Sequence, residues 1–109
     1  MIYYDKAIRD KIPEIIENDG HSCNVKIMSD EEFLIEIEKK LTEEVSEYQA
    51  DKNPEELADI LEVIYRIAKH RGISKEELEN IRIKKAKERG GFDKNLFLID
   101  TKYYPEHFL

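Results

Sequence analysis

Two acidic clusters, Glu43-Glu44-x-x-Glu47 and Glu55-Glu56-x-x-Asp59, repeat one pattern of charge within a short stretch of chain. Carboxylates gathered in this number suit a hard divalent cation, and with no Cys or His in either cluster the donor set favours Mg²⁺ or Mn²⁺ over zinc. Mg²⁺ keeps several waters and commonly completes its shell with substrate phosphates. The chemistry these residues point to is therefore metal-assisted hydrolysis of a phosphate-bearing substrate, in which the cation polarises the phosphoryl group and activates water. A carboxylate di-iron centre wants Glu-x-x-His motifs. The residues three before His21, His70 and His107 are Asn18, Ile67 and Tyr104, so that motif is absent.

The clusters acquire a mutual geometry once they are placed on helices. At about 100° per residue, Glu44 sits at the edge of an apolar stripe beside Ile37 and Leu41, Glu47 lies roughly 60° further round, and Glu43 points further still toward water. Glu56 and Asp59 stand in the same relation to their own stripe, with Glu55 outermost. A short turn forces the two helices to run antiparallel, so residues equally far from the turn face one another. Glu44 then falls level with Asp59, and Glu47 with Glu56. Four carboxylates meeting at the margin of an apolar interface repel one another, and partial desolvation enlarges the cost, so a positive charge is required among them. Taken singly, Glu56 could only close a capping box from its place three residues after Asn53. Glu44 and Glu47 could likewise be a solvated helix face. Neither reading explains why both pairs share one rotational setting and one register.

The elements that must position these acids are legible from caps and periodicity. Ser29-Asp30-Glu31-Glu32 is a capping box that starts a helix near residue 30. Phe33, Leu34, Ile37, Leu41, Val45 and Tyr48 then recur at the period of one buried face, to about residue 50. Asp51-Lys52-Asn53-Pro54 breaks that helix, Asn53 serving as a cap and Pro54 as a first helical residue that loses only an unpaired donor. The second helix carries Leu57, Ile60, Leu61, Ile64, Ile67 and Ala68 on one side and stops at Gly72. Ser74 with Glu77 repeats the capping box and starts a third helix, from about residue 75 to Arg89, where Gly90-Gly91 ends it. Residues 11 to 18 read as a short helix with Pro13 in its first turn, and residues 25 to 28 and 96 to 100 as short strands, paired with each other. The expected fold is mainly α: an antiparallel helical bundle with short extended segments near 25–28 and 96–100, in a single domain over 1–109.

Composition sets the outer limits. The chain has 109 residues and a formal net charge of −7, which excludes a basic nucleic-acid footprint at the level of the whole chain. Apolar residues make up 40% and charged residues 39%, and no apolar run exceeds four residues, as at 96 to 99, so no membrane-spanning helix is expected. The amino terminus lacks a basic-then-apolar signal pattern, and the expectation is a cytoplasmic protein. Cys23 is the only cysteine, so no internal disulfide can form, and His21 with Cys23 reads as an ordinary loop rather than a zinc site. A domain this small buries about 60 to 68% of the surface its unfolded chain exposes, which favours self-association. The tyrosines, among them Tyr3, Tyr4, Tyr103 and Tyr104, are expected to cover the core or a subunit contact.

The Glu-Glu-x-x-Glu and Glu-x-x-Asp motifs on an antiparallel helix pair resemble the MazG-type, all-α nucleoside triphosphate pyrophosphohydrolase superfamily, whose relatives include phosphoribosyl-ATP pyrophosphohydrolase and dimeric dUTPases. The short, single-domain house-cleaning branch is also similar at both ends of the chain, through Lys6-Ala7-Ile8-Arg9-Asp10-Lys11-Ile12-Pro13-Glu14-Ile15-Ile16 and Lys85-Ala86-Lys87-Glu88-Arg89-Gly90-Gly91-Phe92. Ala7 and Ile8 depart from the Leu-Val common in that branch and leave the charged positions in place. The resemblance implies cleavage between the α- and β-phosphates of a nucleoside triphosphate, giving a monophosphate and pyrophosphate. It implies Glu44, Glu47, Glu56 and Asp59 as metal ligands, with Glu43 in the second shell or orienting the attacking water, so that Glu43, Glu44 and Glu47 carry catalysis. Lys40, one turn before Glu44, would meet a phosphate oxygen, and Arg9, Lys11, Lys85 and Arg89 would neutralise further phosphate charge. Structural ion pairs or helix-end charges are the alternative roles for these last four. A homodimer or homotetramer with a base pocket shared between subunits is also implied. Two rival functions stand beside this one: a catalytically silent metal-binding helical module, and a hydrolase of another diphosphate-containing metabolite such as phosphoribosyl-ATP.

Overall fold

Ser29 opens the longest helix with both halves of the expected capping box. Its hydroxyl accepts the Glu32 backbone N–H at 3.2 Å, and its own N–H donates to the Glu32 carboxylate at 3.3 Å. In a computed structural model that describes residues 1–102, four helices follow in order: α1 (Ile12–Asn18), α2 (Asp30–Asp51), α3 (Pro54–His70) and α4 (Lys75–Arg89). Only Lys52 and Asn53 separate α2 from α3. Lys52 takes a left-handed conformation at φ 59° while its N–H donates to the Tyr48 carbonyl, and Asn53 is extended and caps α3 by accepting the Glu55 N–H at 2.9 Å. At the far end of α3, Gly72 (φ 77°) is left-handed, and the next N–H, of Ile73, reaches back to the Ala68 carbonyl at 2.8 Å. This is the six-to-one bond that closes a helix on a glycine. Ser74 caps α4 by accepting the Glu77 N–H at 3.1 Å, and Gly90 ends it with an N–H bond to the Ala86 carbonyl.

The chain divides into two compact units, Met1–Leu78 and Glu79–Leu109. In the first, α2 and α3 pack along each other and run antiparallel, as the cross-helix pairs show. Phe33 near the start of α2 meets His70 at the end of α3 with ring centroids 5.9 Å apart, and Arg71 donates to Glu38 at 2.7 Å. Ile37 and Val63 are buried between the helices together with Ala7, from the segment that precedes α1, and Phe33, Leu34, Leu41 and Ile67 pack around them. No side chain among the described residues is fully buried. In the second unit, the end of α4 leads into irregular chain on which Phe92, Leu96, Phe97 and Ile99 are exposed.

The fold is mainly α, and the expected helices all form within one or two residues of their anticipated ends. The two expected strands do not. Residues 25–28 and 96–100 are irregular, with Ile27 98% and Phe97 88% exposed. A strand exists through its ladder bonds to a neighbour, and neither segment has such a ladder among the described residues. Tyr3 and Tyr4 are exposed rather than laid over the core, and Tyr103, Tyr104 and His107 lie outside the described residues. No helix among the described residues is long and apolar enough to cross a membrane.

A Cβ at position 72 would meet open space, so the cost of Gly72→Ala is conformational alone. Denaturant unfolding should show a loss of about 1 kcal/mol for this variant. An unchanged midpoint would mean that the turn after α3 is not held left-handed.

Candidate metal centre

The antiparallel register brings carboxylates from both helices to one place. One oxygen each from Glu44 of α2 and from Glu56 and Asp59 of α3 lies within 4.8 Å of the others, and Glu43, Glu44 and Glu47 form a second triad that shares Glu44. Glu44 is the best covered of the acids, at 6% exposure, and Glu56 and Asp59 are half-buried. Glu47 is exposed, yet it shares the second triad with Glu44, and its negative charge acts on both Glu44 and Glu56. Glu44 Oε2 and Glu56 Oε2 are both buried without a hydrogen-bond partner among the described residues. A buried carboxylate oxygen without a donor is costly, and a cation is what such oxygens accept.

Local hydrogen bonding explains why Glu56 is available to the site. The capping-box role open to it requires the Asn53 backbone N–H, and that donor is taken by Asp51 Oδ1 at 3.0 Å. Asn53 in turn caps through its own side chain. Glu56 is therefore released from the helix end and lies among Glu47, Glu44 and Asp59.

Cations border the site on two sides. Lys40, one turn before Glu44, places its Nζ 3.3 Å from Glu44 Oε1 and 3.4 Å from Glu43 Oε2. From the segment preceding α1, Lys6 donates to Glu43 at 2.7 Å and Arg9 to Asp59 at 2.7 Å. Lys6, Ile8, Arg9, Ile12, Lys40, Glu44 and Asp59 line a cleft of about 260 Å³.

Lys6 is the residue that sequence reasoning missed. Nothing in helical periodicity reaches an irregular segment, and the one available signal was its place at the head of the charge-rich stretch Lys6 to Lys11. The same lysine corrects the order of exposure: Glu43, expected to point furthest toward water, is half-covered, whereas Glu47 is exposed, because the segment before α1 crosses Glu43 and a helical wheel of α2 alone omits it. Glu55 is exposed. Of the other cations considered, Lys11 is the exposed N-cap residue of α1, outside the cleft lining, and Lys85 and Arg89 stand on α4 in the second unit.

Proton affinities follow the same geography. Burial pushes the Glu44 carboxyl above its ordinary 4.5, with Lys40 opposing and Glu47 reinforcing the shift. Glu56 is pushed up to about 7, first by desolvation, then by its hydrogen bond with Glu47 and by the negative charges of Asp51, Glu47 and Asp59. Glu43 moves the other way, held down by the Lys6 hydrogen bond, and Lys6 is correspondingly raised. The inner acids thus resist ionising side by side, while the outer one is already neutralised by a cation.

Comparison with known proteins adds little to this geometry. No family model and no solved structure matches the chain. An uncharacterized protein of Mycolicibacterium smegmatis is 40% identical over 45 residues, which cover 41% of this chain and 46% of that protein. The chain spans about half the length of the relative it matches, and that relative's name states no activity.

A carboxyl raised in the folded state contributes stability below its ordinary value of 4.5, and that contribution is lost as pH climbs to about 7. Without divalent ions, Glu56→Gln should therefore melt above the wild type at about pH 8, and the gap should close toward about pH 5 in scanning calorimetry. A gap independent of pH would show that Glu56 does not ionise against its neighbours.

Proposed function

We propose that this chain is a Mg²⁺-dependent nucleoside triphosphate pyrophosphohydrolase of the MazG type, with Mn²⁺ able to replace Mg²⁺, that releases a monophosphate and pyrophosphate. The observation that carries the reading is the convergence of Glu44, Glu56 and Asp59 from two helices, with two buried carboxylate oxygens left without a donor among the described residues. The donor set is all carboxylate oxygen, which suits a hard cation. When bound there, such an ion would polarise a phosphoryl oxygen and lower the proton affinity of a coordinated water. The chain's own groups would supply the rest: Glu44, Glu47, Glu56 and Asp59 would hold the ion, Glu47 being the most solvent-facing of them, and Glu43, beside Glu44 and Glu47, would act from behind these ligands or orient the attacking water. Lys40 and Arg9, already beside the acids, offset the repulsion that a chain of charge −7 exerts on a polyphosphate.

The cleft of about 260 Å³ falls below the roughly 300–1,000 Å³ usual for a whole small-molecule ligand. It is large enough for a phosphate chain and leaves the base to be bound elsewhere. We assign that role to a second copy of the chain in a homodimer or homotetramer. In support, no described side chain is fully buried, and Leu57 and Leu61, one turn apart on α3, remain 50% and 46% exposed.

Pyrophosphate release should be detected with Mg²⁺ or Mn²⁺ over a panel of ordinary, deoxy and damaged nucleoside triphosphates and phosphoribosyl-ATP. Glu47→Gln should lower the rate by about 100-fold or more while the circular-dichroism spectrum persists. Stabilisation by Mg²⁺ without turnover of any member of the panel would replace this reading with that of a silent metal-binding module. Sedimentation equilibrium should return two or four times the 12.9 kDa chain mass, and Leu61→Asp should shift it toward one. A wild-type monomer would remove the shared base pocket.

A further inference from the structure

The segment leading into α1 meets the acidic site from outside both helices that form it. Its anchor is Ala7, 7% exposed and packed with Ile37 and Val63. With Ala7 fixed, Lys6 and Arg9 are held over the rim, Lys6 on Glu43 and Arg9 on Asp59, each at 2.7 Å. The side chains of both pairs keep contact with water, at 39% and 29% exposure for the first pair and 56% and 37% for the second. Ion pairs so exposed contribute little to stability and open readily. The strap's cations thus pair with Glu43 and Asp59 and leave Glu44 and Glu56 each with an open oxygen: Glu44, more than nine-tenths buried, and Glu56, both members of the triad with Asp59, each have a buried Oε2 without a hydrogen-bond partner among the described residues.

We propose that this strap, residues 5–11, is a displaceable counter-ion for the acidic site and becomes a polyphosphate clamp once the carboxylates hold a divalent cation. The inference rests on the metal-dependent reading above and extends it. A divalent ion carries the same charge as Lys6 and Arg9 together, and the partners of both, Glu43 and Asp59, belong to carboxylate triads that share Glu44, so an ion at Glu44 takes over the neutralisation the strap's side chains provide. The exchange also frees two cations at the mouth of a cleft already lined by Lys40. An ammonium and a guanidinium released there are suited to the oxygens of a linear polyphosphate, the guanidinium through paired N–H donors. Ion and polyanion therefore bind with mutual enhancement, because each favours the arrangement in which Arg9 has left Asp59. Ala7 stays in place throughout, so the change is one of side chains and not of the strap's backbone.

The test is a pair of titrations on the full chain by calorimetry, Mn²⁺ alone and then inorganic triphosphate at saturating Mn²⁺. The double variant Lys6→Met/Arg9→Gln should bind Mn²⁺ roughly two- to tenfold more tightly than wild type, since it lacks the competing cations. It should bind inorganic triphosphate about tenfold or more weakly. Opposite signs are the signature, for ion pairs with a purely structural role would move neither affinity in this way. Arg9→Lys should retain Mn²⁺ affinity within about twofold of wild type, and if the double variant does not fold, Arg9→Gln alone should show the same two signs. Unchanged or weaker Mn²⁺ binding by the double variant or by Arg9→Gln, or unchanged triphosphate binding by them, overturns the strap proposal and leaves the metal site standing. A wild-type protein that takes up no Mn²⁺ overturns both.

Discussion

Repulsion among carboxylates crowded by a two-residue turn is the constraint to which the rest of the first unit responds. Two unit charges about 4 Å apart repel by roughly 4 kcal/mol at the effective dielectric of a protein surface. Lys52 and Asn53 are too short a link to let α2 and α3 splay, so Glu44, Glu56 and Asp59 are brought within 4.8 Å whatever their charge. Each neighbouring feature reduces that repulsion. Lys40 reaches forward along its own helix, Lys6 and Arg9 reach in from the segment before α1, and Glu44 and Glu56 hold their protons to higher pH than isolated carboxyls do. A divalent cation would relieve the same repulsion more completely than these neighbours do.

Core and site are mechanically one object here. The buried cluster consists of Ile37, Val63 and Ala7, one residue from each of the three segments that contribute to the acidic rim. Ile37 lies seven residues, two helical turns, before Glu44, and Val63 four residues after Asp59, so each sets the rotation of its helix about the acids. Ala7 sits between Lys6 and Arg9 along the strap and determines where both cations hang. Ala7 packs the strap against α2 and α3, where Lys6 and Arg9 make ion pairs of 2.7 Å with two separate carboxylates.

Much of the helical framework was readable because its signals are local. Ser29 with Glu32, Asn53 with Pro54, and Gly72 each settle an orphaned backbone group within four residues of themselves, so neighbours in sequence suffice to place them. The facing of Glu44 and Asp59 followed from the shortness of the turn and the 3.6-residue period. The segments 25–28 and 96–100 misled for the converse reason: their apolar character is local, but a strand requires a partner elsewhere in the chain, and none is present among the described residues. The release of Glu56 from a capping role was also out of reach, since it turned on whether Asp51 or Glu56 would win the Asn53 N–H.

By itself, then, the sequence determined the four helices, the antiparallel register and the set of acids that share it, because caps, period and turn length act over a few residues. Only the tertiary structure decided how those acids are covered. It turned Glu43 into the strap's partner, left Glu47 in water, and brought in Lys6 from a segment with no periodic pattern. The physical reason is that coverage depends on which distant chain packs against a face, here through Ala7 meeting Ile37 and Val63, and a contact between residues so far apart in sequence has no signature at either end alone.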